Sequence, residues 1–175
     1  SDVSGNVGSN VAGSFGLLHV NANGSYTYTL TTPVDNDTQT PVDVFTYTVT
    51  DSLGNTQTQI VTINITDDAP TAAADTDAVQ SGAPATGNVI TGIGTTNGGA
   101  DTPGADGVTV TGVAAGTPGG NVSGLVGSPI ATSLGTLTLN ATGGYSYVAH
   151  ANASGIDTFT YTITDSDGDQ STTTL

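Results

Sequence analysis

The feature that most constrains this chain is a strand-like alternation that occurs twice. Phe45-Thr46-Tyr47-Thr48-Val49-Thr50 returns 114 residues later as Phe159-Thr160-Tyr161-Thr162-Ile163-Thr164. Each run puts large apolar side chains on one face and threonines on the other, the period-two pattern of a half-buried strand. The preceding segment repeats too. Gly16-Leu17-Leu18-His19-Val20-Asn21-Ala22-Asn23-Gly24-Ser25-Tyr26-Thr27-Tyr28 matches the run from Gly135 to Tyr147, 119 residues further on, so the second copy has a loop shorter by 5. Ser4-Gly5-Asn6-Val7-Gly8-Ser9 matches Ser123-Gly124-Leu125-Val126-Gly127-Ser128. Asp51-Ser52-Leu53-Gly54-Asn55 matches Asp165-Ser166-Asp167-Gly168-Asp169.

Composition points the same way. Glu, Lys, Arg and Met are absent from the 175 residues, and these supply much of ordinary helix propensity. Thr, Val and Tyr, which suit a pleated surface, recur instead. Clusters of Gly, Asn and Asp separate the runs, as turns require. The chain is expected to be all-β, a sandwich with one face of each sheet buried and one wet.

The same composition excludes several functions. The 15 acidic residues are all Asp, there is no Lys or Arg, and the formal charge is -15. No phosphate clamp or Schiff-base lysine can form, and nucleic acid is not an expected partner. Without cysteine there are no disulfides or thiolate metal sites. No apolar run reaches the roughly 20 residues of a membrane span, so membrane insertion is not expected. No Gly-x-Ser-x-Gly elbow leads from a strand into a helix, and an enzyme is not expected.

The repeats are unequal. The acidic, Pro-containing joint Thr66-Asp67-Asp68-Ala69-Pro70 breaks the strand pattern. Residues 1–68 read as the C-terminal part of one β-sandwich repeat. Residues 69–175 read as a second, nearly complete repeat with its last strand truncated at Leu175, the match of Val61. A half sandwich leaves edges unpaired, so the expectation is a window cut from a longer tandem array.

Together, Gly-x-Tyr-x-Tyr, Asp-x-Phe-Thr-Tyr-Thr-(Val/Ile)-Thr-Asp-Ser-x-Gly and the Asp-Asp-Ala-Pro joint resemble the bacterial immunoglobulin-like and cadherin-like repeats, VCBS-type and type I secretion, of large adhesins. The segment Gly99-Ala100-Asp101-Thr102-Pro103-Gly104-Ala105-Asp106-Gly107-Val108 is similar to part of the type I secretion repeats. The resemblance implies tandem immunoglobulin-like (Greek-key) β-sandwiches. It further implies a secreted, calcium-stiffened spacer on the surface of a Gram-negative cell, serving attachment or biofilm, whose partners are the neighbouring repeats of the same long chain. One alternative is a subunit of an extracellular filament or sheath, completed by strands from other chains. Another is glycan binding through loops 94–107 or 116–132.

The carboxylates then need an account. With no Lys or Arg, no salt bridge can form except to a protonated His, so each Asp is solvated, accepts backbone N–H groups, or binds a metal, and an oxygen-only set suits Ca²⁺. In the implied topology Asp165, Asp167 and Asp169 lie on the last hairpin turn, at the pole where linker residues Asp67 and Asp68 enter. A calcium site is expected there, with Asp75 or Asp77 as further ligands. Asp51 and Asn55 occupy the equivalent pole of the first repeat, where a turn cap and a metal ligand both remain open. Asp101 and Asp106 form a second candidate, expected near the opposite pole. Asp43 and Asp157 read as caps where a strand starts, and Asp35 and Asp37 as solvated loop charge. Tyr26, Tyr28, Tyr47, Tyr145, Tyr147 and Tyr161 are expected to face inward with Phe45 and Phe159. His19 and His150 lie on the Thr face and are expected at the surface.

Overall fold

A computed structural model describes residues 6–32, 34, 40–104 and 106–175. Asp35 and Asp37, with Ser4 and Gly5 of the repeated motif, lie outside the described residues. No helix occurs among the described residues, and twelve strands are present. The chain divides into two compact units, Ser1–Asp67 and Asp68–Leu175.

The first unit holds β1 (Asn10–Ala12), β2 (Gly16–Val20) and β3 (Tyr26–Leu30) in one antiparallel sheet, in that order. A long two-stranded ribbon joins β4 (Val42–Thr50) to β5 (Thr56–Asn64). In the second unit β6 (Pro84–Asn88), β10 (Gly144–Ala149), β9 (Gly135–Leu139) and β8 (Ile130–Ala131) form one sheet in that order. The other sheet has the order β12 (Gln170–Thr174), β11 (Phe159–Asp165), β7 (Val108–Ala115). The second unit's core is built from both sheets: Val89, Leu137, Leu139 and Tyr145 pack with Val110, Val113, Phe159, Tyr161 and Ile163. Along β9 and β11 these are the alternate residues that the period-two pattern sends inward.

The internal repeat is a structural repeat. Hairpin β2–β3 pairs Leu18 with Tyr28, and β9–β10 pairs Leu137 with Tyr147. Tyr28 meets Phe45 edge-on at 6.3 Å and 64°, and Tyr147 meets Phe159 at 6.1 Å and 65°. Each tyrosine ring crosses a glycine, since a Cβ on Gly16 or Gly135 would fall on the ring of Tyr28 or Tyr147. That is why both copies carry Gly there.

Two expectations need correction. The threonine face of β11 is not wet: Thr160 and Thr162 are buried. Residues 117–124 lie over it, the Val122 N–H donates to Thr162 Oγ1 at 2.9 Å, and Thr160 Oγ1 donates to the Gly116 carbonyl at 2.8 Å. Gly112 permits this approach, because a Cβ there would strike the Val122 carbonyl. Opposite it the register shifts between Thr162 and Ile163, a bulge that leaves Thr111 as the extra residue. The second correction concerns the tyrosines. Tyr145 and Tyr161 are buried as expected, but Tyr26 and Tyr47 of the first unit are 55% and 40% exposed.

Candidate metal centre

The turn between β11 and β12 is closed by its own first residue. Asp165 Oδ1 accepts the N–H groups of Gly168 at 3.0 Å and Asp169 at 2.7 Å, while the Asp165 N–H donates to the Asp169 carbonyl at 3.1 Å. Gly168 turns the chain at φ 116, a conformation costly for a residue with a Cβ. Asp165 itself is only 9% exposed, and its Oδ2 is buried without a hydrogen-bond partner. Such an atom carries a large desolvation cost unless a proton or cation meets it.

Asp106 arrives at the same turn. Ser166 donates its N–H to Asp106 Oδ2 at 3.0 Å and its hydroxyl to the Asp106 carbonyl at 3.1 Å. One carboxylate oxygen from each of Asp106, Asp165 and Asp167 lies within 4.8 Å of the others. The expectation that the 101–106 loop sits at the opposite pole is therefore wrong for Asp106. The reason is register: β7 runs antiparallel to β11 and pairs Val108 with Asp165, so the residues just before β7 must lie at the last turn. Asp68 is drawn to the same loop, since a Cβ on Gly104 would lie 3.0 Å from the Asp68 carbonyl oxygen and 3.3 Å from its Oδ2. Asp167 and Asp169 are half-buried; Asp67 ends the first unit. This donor set is oxygen only, with a buried orphan oxygen, and fits a hard divalent cation such as Ca²⁺ better than zinc.

The other candidates behave differently. In the first unit Asp51 Oδ1 accepts the N–H groups of Leu53 and Asn55, both at 2.8 Å, and Oδ2 accepts the Asn55 side-chain amide at 2.8 Å. The Asn55 amide first, then these backbone donors, hold its carboxyl below the usual range. Asp51 and Asn55 thus satisfy each other as a turn cap.

Asp75 and Asp101 do not join the acidic turn. They are 2% and 5% exposed and converge on Tyr161. The tyrosine hydroxyl lies 3.0 Å from the Ala73 carbonyl, 3.2 Å from Asp75 Oδ2 and 3.3 Å from Asp101 Oδ1. One hydroxyl proton cannot serve three acceptors. Asp75 Oδ1, close against Gly98, has no partner. Burial, with a further push from Asp101, raises the Asp75 carboxyl from 3.8 to about 6. Burial likewise raises Asp101, against the Ala73 N–H that it accepts at 2.8 Å.

Three further aspartates are held by tyrosines, an arrangement the sequence reading missed. Tyr28 donates to Asp43 Oδ2 at 2.7 Å, Tyr147 to Asp157 Oδ2 at 2.6 Å and Tyr145 to Asp77 Oδ2 at 2.6 Å. Asp43 also accepts the N–H groups of Ser14, Phe15 and Gly16, so it caps a distant loop from inside β4 rather than the start of its own strand. Burial opposes the charge on Asp43, but the Tyr28 hydroxyl and these amides hold it below the usual range. Burial and the partner carboxylates push Tyr28 and Tyr147 up to about 12. Asp157 takes Thr132 Oγ1 as well, at 2.5 Å. The repeated Tyr with an Asp at the next strand was the available signal. His150 is exposed, and His19 is half-buried with Nδ1 2.9 Å from Asn10 Oδ1.

None of the curated proteins matches the chain. The family model described as bacterial Ig domain matches residues 1–64 and again 67–175, one match in each unit. The two matches account for the internal repeat, the antiparallel sheets and the sandwich core together, and the chain belongs to the bacterial Ig domain family.

Proposed function

We propose that this chain is a spacer of a secreted cell-surface adhesin, of the type I secretion kind found on Gram-negative cells, and that calcium stiffens it for attachment or biofilm formation. Bacterial Ig domains are repeat domains with a structural role, typically outside the cell and typically non-enzymatic. No helix among the described residues is long and apolar enough to cross a membrane.

The single observation that carries the calcium reading is the buried, unpartnered Asp165 Oδ2 beside Asp106 and Asp167. Asp106, Asp165 and Asp167 would supply the first ligands, and the bound ion would neutralise charge that no side chain of this protein can meet. In this reading Asp68, drawn to the loop that carries Asp106, adds a further ligand from within the same unit. A ligand that binds only the folded state at 100 times its Kd stabilises by about 2.7 kcal/mol. Calorimetry in excess chelator and in millimolar calcium tests this. The second unit's melting transition should rise in calcium, and Asp165→Asn should remove most of the rise. An unchanged transition would refute the calcium reading and leave the spacer without its stiffening element.

A further inference from the structure

Residues 71–77 lie in the second unit but belong to none of its strands. They meet the 95–102 segment through two single bridges, Thr71 with Thr102 and Thr76 with Asn97. They meet β12 through the Ala72 N–H, which donates to Ser171 Oγ at 2.9 Å, and the Asp75 N–H, which donates to the Thr174 carbonyl at 3.0 Å. Little apolar surface holds them. Thr71, Ala74 and Thr76 are exposed, Ala72, Ala73 and Asp77 are half-buried, and of these Ala72 alone packs against the core. The one buried residue of this stretch is Asp75. A segment with so few apolar contacts belongs to the low-stability end of a fold, and here its anchor is a carboxyl group.

What that carboxyl meets decides whether the segment stays down. Asp101 faces it from the 95–102 segment, Tyr161 from β11 and Tyr145 from β10, while β12 offers no titratable side chain. Asp77 lies two residues on and already takes the Tyr145 and Thr96 hydroxyls. Burial pushes both tyrosines well above their ordinary value, so they keep their protons at neutral pH. Two carboxyl groups therefore depend on one tyrosine hydroxyl, in a chain without Lys or Arg. Asp101 also accepts the Ala73 N–H, and the Tyr161 hydroxyl reaches the Ala73 carbonyl, so the same cluster fastens the backbone of the segment. With one added proton the pair carries a single charge. With none, two anions are shut away from water, and the simplest relief is to return Asp75 to solvent.

We propose that residues 71–77 form a pH-gated strap, closed most firmly while the Asp75–Asp101 pair holds a proton and released from β11 and β12 as both carboxyl groups ionise. Asp101 stays behind, because its own N–H donates to the Ile90 carbonyl at 2.9 Å. Tyr161 stays too, fixed in the middle strand of its sheet. Burial raises both carboxyls, Asp75 to about 6, so the strap loosens as pH rises from near 4 through about 6. The strap follows the joint residues 68–70 directly, and its release frees up to ~23 Å of extended chain there. The strap needs no metal, so it is tested in chelator, where it and the calcium reading fail separately.

The test follows amide hydrogen exchange of the full chain from pH 4 to pH 7.5, each rate divided by the intrinsic rate at that pH. The amides of Ala72, Ala73, Asp75 and Thr76 report the strap, and those of β9 and β10 report the whole sandwich. Strap protection is expected to fall about tenfold across this range, most of it below pH 6.5. At every pH it should lie below that of β9 and β10 and be unmoved by low urea, the mark of a local opening. Asp75→Asn should make strap protection flat with pH, whatever its level. Asp77→Asn, on the same segment, should leave the fall in place. Flat protection in the wild-type chain would overturn the inference. So would strap amides that share the protection and urea dependence of β9 and β10, since the strap would then open only with the whole unit. A fall that survives Asp75→Asn, or vanishes in Asp77→Asn, would overturn it as well.

Discussion

Replacing Asp75 by Asn removes one charge from a site that has no cation to receive it. Burial and the neighbouring Asp101 carry the folded carboxyl from 3.8 to about 6, despite the opposing hydrogen bond from Tyr161. A pKa raised by folding means that the folded state binds the proton more tightly. The stability this confers is full below the unfolded value, near pH 4, and is lost as pH rises through about 6. A gap of roughly two units sets a ceiling of ~3 kcal/mol. Solvent screening at a realistic effective dielectric reduces the expected effect to ~1–2 kcal/mol. The amide of the variant has no charge to lose, so the stability of Asp75→Asn relative to wild type should climb by that amount between pH 4 and pH 7.5. Comparing the two proteins at each pH cancels the aspartates remote from the site, of which Asp43 and Asp51 titrate with the opposite sign. Urea unfolding in chelator reads it through tyrosine fluorescence, since the chain has no Trp. Two units allow two transitions, so the one that includes Tyr161 must be followed. A difference that stays flat across this window, or falls, would refute the reasoning.

Other perturbations have clear directions. Leu137 is wholly buried between the sheets, and Leu137→Ala should cost about 2–5 kcal/mol in urea unfolding of the second unit. A loss below about 1 kcal/mol would mean that the core there collapses freely or is not packed as described. Asp43→Asn puts an amide where three N–H groups and the Tyr28 hydroxyl converge, and should cost the first unit about 2–4 kcal/mol at pH 7. Because folding lowers the Asp43 pKa, its stabilisation is present above 3.8 and lost as pH falls through the folded value. The gap between wild type and Asp43→Asn should therefore shrink at pH 3, and an equal gap at both values would contradict the charged-cap account.

The strands were legible in the sequence because alternation maps directly onto a pleated sheet. The repeat identified which strands correspond. Burial was less legible, because it depends on what lies across the sheet. Tyr47 and Tyr161 have the same local pattern, yet one ring is exposed and the other buried. Thr162 reads as an outward position, yet the 117–124 segment covers it. The candidate site was half legible for the same reason. Asp165 and Asp167 are local to one turn and could be found by eye. Asp106 reaches them only through the antiparallel register of β7 on β11, which the spacing of Asp101 and Asp106 does not encode. The Tyr145–Asp77 bond joins separate parts of the chain, so neither partner's sequence neighbourhood announces the other, whereas Tyr28–Asp43 and Tyr147–Asp157 recur in both repeats and could have been found there.

The means by which this anionic chain stabilises its carboxylates form an order. Tyrosine hydroxyls take Asp43, Asp77 and Asp157, each beside a sheet face where a hydroxyl can reach without bringing a charge inward. Turn amides take Asp51, a lone carboxylate whose two oxygens meet three donors. A proton is the remaining internal remedy, and the Asp75–Asp101 pair, with burial raising both, is where it belongs. At the last turn of the second unit these remedies run short. Two amides are committed to Asp165 Oδ1 and one to Asp106 Oδ2, the nearby serine hydroxyl donates to a carbonyl, and Asp165 Oδ2 is still bare. Folding alone leaves Asp165 Oδ2 buried beside Asp106 without a donor. On the calcium reading proposed above, a divalent ion at this turn would bring that positive charge from outside the chain, and the most of it for the space.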